Sequence, residues 1–171
     1  MLKRSLILFS LISLAFLVGC TNHKITTEPD AVSSGYFESI KSLYLSYPSI
    51  TSSSTILAFD FSNLDFEGLD TLKDLVKEFT EEEGYTYLEA TMADLIELGY
   101  IEFSDSMNEI PMPLGFSNGV LFEITPVSVE ENRLVTELSM WKGNLSAFGS
   151  TFTAVYSNGA WVISTNTVWV S

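Results

Sequence analysis

Cysteine is almost missing from this chain: Cys20 is the only one in 171 residues. A small secreted fold stapled by disulfides is therefore excluded, and stability has to come from an apolar core. Histidine is equally scarce, with His23 alone. One His and one Cys, both near the start, build neither a zinc cluster nor a Ser-His or Cys-His nucleophilic pair. Basic residues are few, 8 Lys and Arg against 22 Asp and Glu, for a net charge of −14. No basic stripe exists to displace phosphate counterions, which argues against nucleic acid. The same shortage removes any second, electrostatic hold on anionic lipid. No glycine-rich loop suits a phosphate, and no cofactor is implied.

What is present begins at the N-terminus. Lys3 and Arg4 precede an apolar stretch from Ser5 to Val18, broken only by Ser10 and Ser13. Gly19 supplies the small residue that a signal peptidase needs beside its cut. The stretch is short of the about 20 apolar residues that a membrane span requires. Residues 1–19 therefore read as a signal peptide. Leu17-Val18-Gly19-Cys20 resembles the lipobox of bacterial lipoproteins. That resemblance implies that the Cys20 thiol is acylated, palmitate included, and that Cys20 becomes the mature N-terminus. It implies a membrane partner reached through lipid, on the extracytoplasmic side. Each buried CH₂ of such a chain contributes about 0.8 kcal/mol, so several chains hold firmly. Thr21 stands where an Asp resembles an inner-membrane retention signal, which points to the outer membrane in a Gram-negative cell.

Removing 19 residues leaves 152, enough for one domain with its own core. Residues 20–30 are polar and read as a tether, reaching roughly 15–20 Å on average. His23 lies within it and, with no companion ligands, is expected to be solvated. Residues 31–171 form the expected single α+β domain. Its charge is uneven: 15 acidic residues lie between Asp60 and Glu109, against Lys73 and Lys77. This reads first as a solubilising surface.

In that domain Tyr36, Ile40, Leu43, Tyr44 and Tyr47 recur at helical spacing, and Pro48 ends the helix. Ile56 to Phe61 is apolar on both alternating faces, as a strand buried on both sides would be. Asp65 is placed to cap a helix whose stripe is Leu69, Leu72, Val76 and Phe79. Tyr85 to Leu88 is a short strand. Thr91 and Asp94 match a capping box, opening a helix that turns Met92, Leu95 and Ile96 inward and stops at Gly99. Ser104 to Asn118, with Pro111, Pro113 and Gly115, reads as loop.

The last third alternates apolar and polar residues from Val120 onward, with turns at Glu131-Asn132 and Ser157-Asn158-Gly159. It predicts an antiparallel meander. Trp141, Trp161 and Trp169 are expected in the core, Trp161 sharing its inward face with Ile163. Met140-Trp141-Lys142-Gly143-Asn144-Leu145, Phe148-Gly149, Asn158-Gly159-Ala160-Trp161-Val162-Ile163 and Trp169-Val170-Ser171 resemble the C-terminal half of small bacterial envelope proteins. Those folds are similar to the cystatin and NTF2-like group. The resemblance implies N-terminal helices packed on a curved antiparallel sheet. It implies no activity, because that fold hosts enzymes and binding modules alike.

Two kinds of site are offered by residue type. Asn63, Asp65, Glu67, Gly68 and Asp74 fall at positions 1, 3, 5, 6 and 12 of a calcium loop. Asp70 stands where that loop needs an apolar residue, Asp74 replaces the bidentate Glu, and a strand precedes in place of a helix. The segment therefore reads as a strand-to-helix turn, with no metal site. An NTF2-like isomerase would place an acid and a Tyr in an apolar cone. Asp60, Tyr100 and Tyr156 are available for that alternative enzyme, but nothing in their spacing selects them. The favoured reading is a non-catalytic binding or accessory module for an envelope protein or small ligand.

The calcium reading has a direct check. A ligand at a hundredfold excess over its Kd raises stability by about 2.7 kcal/mol if it binds only the folded state. The protein should melt at the same temperature in calcium and in chelator; a clear calcium-dependent rise would restore the loop as a metal site.

Overall fold

The computed structural model describes residues 29–104 and 111–170, the side chains of Thr167 and Val168 excepted. The signal peptide, Cys20 and His23 lie outside the described residues. The chain forms a mixed α/β fold: an open, mostly antiparallel eight-stranded sheet with helices on both faces.

Helix α1 (Pro29–Ser46) starts on a proline, whose missing N–H is no loss in a first turn. Its buried side carries Tyr36, Ile40 and Leu43 as expected. It also carries Ser33, Gly35 and Ser39, which a search for apolar periodicity passes over. The Ser39 hydroxyl donates to the Gly35 carbonyl at 2.8 Å and the Ser33 hydroxyl to the Gly68 carbonyl at 2.6 Å. Burial therefore leaves neither hydroxyl unpaired. Pro48 ends α1 and opens the single turn α2 (Pro48–Thr51).

Strand β1 (Ile56–Asp60) lies between β2 (Thr86–Glu89) and β5 (Gly119–Glu130), parallel to both. Parallel neighbours need a crossover, and α3 (Leu69–Glu82) supplies the one from β1 to β2. Leu72, Val76 and Phe79 of α3 are buried as the stripe predicts. Asp65 does not cap this helix. Gly68 occupies that position without any side-chain bond, because a Cβ there would strike the Ser33 hydroxyl and the Pro29 carbonyl.

The capping box at Thr91 and Asp94 is present in both directions and opens α4 (Met92–Glu97). Ile96 is 41 % exposed, not inward. A helix of six residues has one inner edge, and Met92 and Leu95 fill it. The expected loop from Ser104 to Asn118 holds a short strand. β4 (Pro113–Phe116) pairs β3 (Ile101–Phe103) and meets β6 (Arg133–Gly143) through Gly115 and Gly143. Proline and glycine read as breakers here, yet at a sheet margin they permit this close backbone approach.

The meander is as expected. β5, β6 (Arg133–Gly143), β7 (Ser146–Ser157) and β8 (Ala160–Val170) run antiparallel in order. Asn158 and Gly159 both have positive φ, 53° and 83°, as the tight hairpin turn between β7 and β8 requires. Pro126 interrupts β5 where the register shifts, so its missing donor falls at a bulge.

Alternation along the strands feeds two cores. On one face α1 and α3 cover Leu57, Phe59, Phe122, Leu138, Phe152 and their neighbours. On the other, Leu95 of α4, Ile101 of β3 and Phe116 of β4 pack with Ala58 and Leu121. The N-terminal helices are thus divided between faces, not stacked on one. Trp141 packs on the second core and Trp161 on the first. Trp169 departs from expectation: it is 50 % exposed on β8.

Trp161 lies against α1 where Gly35 leaves room; a Cβ at Gly35 would sit 3.0 Å from Trp161 Cζ2. Its indole Nε1 is buried without a hydrogen-bond partner, a cost of about 1–3 kcal/mol that the packing must exceed. Trp161→Ala should cost about 3 kcal/mol in denaturant unfolding, and Trp161→Phe distinctly less, since it also removes the unpaired donor. Equal losses for the two variants would show that the ring's packing is not what stabilises this junction.

Candidate functional site

The face of the sheet beneath α1 and α3 is filled with side chains. Phe59 stacks on Phe122 at 4.8 Å and on Tyr87 at 5.8 Å. Tyr36, Ile40, Leu43 and Phe152 close the remaining space. Concavities suited to a ligand therefore lie outside that core.

One is a crevice of about 440 Å³ at the carboxyl ends of β1 and β2. The chain leaves β1 toward α3 on one face and β2 toward α4 on the other. Open sheets bind ligands in the crevice outside such a divergence. Its charged groups already have partners. Lys73 pairs with Glu89 at 2.6 Å. The Asp60 carboxylate accepts from the Ser62 N–H at 2.9 Å. Asp94 accepts from the Thr91 hydroxyl and the Thr91 N–H, which together hold its carboxyl below the usual range.

A second groove, about 370 Å³, opens where α1 begins. Val32, Tyr36, Leu64, Phe66 and Val129 give it an apolar floor, with Asp65 and Glu67 at the lining. Tyr36 packs its ring on Phe66 at 5.4 Å.

A third, of about 190 Å³, lies on the face of the meander left open by α4. Trp169, Glu123, Glu137 and Ser139 line it. Sequence reasoning missed it because it assigned Trp169 to the core. The one available signal was Gly149 within an otherwise well-filled strand.

The residues offered for acid–base work are not brought together. Asp60 lines the crevice, Tyr100 packs on Phe116 at 5.8 Å, and Tyr156 packs on Trp161 at 5.3 Å. Asn63, Asp65, Glu67 and Asp74 are exposed. Among the described residues, no three His, Cys, Asp or Glu side chains converge as a metal site would need. No helix among them is long and apolar enough to cross a membrane. Comparison with known protein families, with curated proteins and with solved structures finds no match.

Burial pushes the Tyr36 phenol up to about 12, against an ordinary value near 10. Tyr87 is pushed up to about 12 as well, by burial first and then by the charges of Glu89 and Asp74. A raised folded-state value means that the unfolded chain ionises first as pH climbs. The stabilisation is complete below pH 10 and is lost as pH rises toward 12. Tyr36→Phe should therefore flatten the fall in melting temperature between pH 10 and 12. An unchanged slope would place Tyr36 in water.

Proposed function

We propose that this chain is a bacterial lipoprotein, held outside the cytoplasm by acyl chains on Cys20. In a Gram-negative cell the outer membrane is its place. We further propose that its α+β domain, cystatin/NTF2-like in kinship, works by binding a ligand or an envelope partner and not by catalysis. The long helix α1 lying across β6, β7 and β8 supports the kinship. The parallel β1 and β2 are additions to that plan.

One observation carries the binding reading. Tyr36, Phe59, Phe122 and Phe152 fill the space beneath the helices that an isomerase-like cone would need for its substrate. The acids at the open crevice are engaged with neighbouring groups, which suits a recognition surface.

Cys20→Ser tests the anchor. Cells fed labelled palmitate should label the wild-type protein and leave the variant unlabelled as a longer precursor. Equal label in both would end the lipoprotein reading.

A further inference from the structure

The geometry points to the Trp169 platform as a binding site for an organic cation, an ammonium group carried by a small molecule. It gives the proposed binding function a ligand class and makes no use of the anchor. In the pairing of β7 with β8, Gly149 stands directly opposite Trp169. A Cβ on Gly149 would pass into the indole, so the absent side chain is what lets the ring lie down on the sheet. An indole lying so and half exposed presents one π face to water.

Ring and carboxylates belong to the same surface. Ser139 is opposite Gly149 across β6 and β7, and Glu123 is opposite Ser139 across β5 and β6. Glu137 lies two residues along β6, on the same face. The Ser139 hydroxyl donates to Glu123 at 2.9 Å, which fixes that carboxylate. The Glu137 carboxylate makes no hydrogen bond or ion pair among the described residues, and no Lys or Arg lines the groove. Asn63 and Thr125 complete its wall.

This chemistry selects. A cation above an indole is drawn to the ring quadrupole, and the two carboxylates reinforce that attraction. An anion is repelled. A bare metal ion finds too few oxygens and no use for the ring. An uncharged saccharide could stack on the ring and donate hydroxyls to the carboxylates, but it leaves both negative charges unneutralised in a chain of net charge −14.

The test uses the full-length protein in a non-ionic polyoxyethylene detergent, with the indole N–H signals followed by NMR. Choline is the probe. Its uncharged isostere 3,3-dimethylbutan-1-ol and N-acetylglucosamine are the controls. Choline should shift the Trp169 signal with millimolar affinity, more tightly at low salt, and the isostere should not. Glu137→Gln, an exposed change that leaves the fold intact, should weaken binding roughly tenfold. Trp169→Ala should abolish the calorimetric heat of binding. Gly149→Ala, which forces the ring off the sheet, should weaken it likewise. Equal binding of the isostere, or a Trp169 signal unmoved by choline, overturns the proposal. A larger shift with N-acetylglucosamine overturns the cation while leaving the binding reading in place.

Discussion

β1 is five residues long and shares both its edges with parallel neighbours, and its middle, Leu57 to Phe59, is shut away from solvent. Its side chains alternate between two cores, with Leu57 and Phe59 under α1 and α3 and Ala58 under α4. Its backbone donors and acceptors find their partners in β2, in β5 and in the residues flanking them, Asn118 and Ala90. That constraint orders the rest. Parallel pairing forces the α3 crossover, and it joins the short β1–β2 unit to the long meander through β5. It also sets the crevice at the carboxyl ends, because consecutive connections leave for opposite faces.

The first helix meets the meander through small residues. Gly35 admits Trp161 and Leu134, while Ser33 and Ser39 bring the helix close and satisfy their own hydroxyls on backbone carbonyls. A larger residue at Gly35 would move the helix away from the sheet, and one at Ser33 away from the Gly68 backbone. The unpaired indole of Trp161 shows how the balance falls at this junction: ring burial outweighs one lost hydrogen bond. Lys142 fixes the other end of the helical face. Its ammonium donates to the Ile50 carbonyl at 3.1 Å and to the Ser53 hydroxyl at 2.6 Å, tying β6 to the turn that follows α2.

Glycine acts in the opposite sense on the outer face of the meander. At Gly149 it leaves a gap that the opposing Trp169 covers from above, so a hydrophobic ring is stabilised on the surface without entering a core. Scarce cations sharpen the result. Lys73 and Lys142 are engaged within the fold. The acidic face around Glu123 and Glu137 is left without a lining cation. A solubilising excess of acid and a recognition surface are here the same residues seen at two scales.

The sequence by itself determined much of this protein. Alternation from Val120 onward and the Asn158-Gly159 turn specify the meander, because a strand's period of two and a hairpin's positive φ are local properties. The stripes of α1 and α3 and the Thr91–Asp94 box are legible for the same reason. Tertiary structure decided the rest. The partners of β1, the division of the helices between two faces and the pairing of Gly115 with Gly143 all join residues distant in the chain. No local pattern contains them. Trp169 is the sharpest case. Its position in an alternating strand says which face it takes, but whether that face is covered depends on how far α4 and the β3–β4 pair extend across the sheet. They cover Leu121 and Trp141 and stop short of Gly149, so the same residue type that is packed at Trp161 lies open at Trp169.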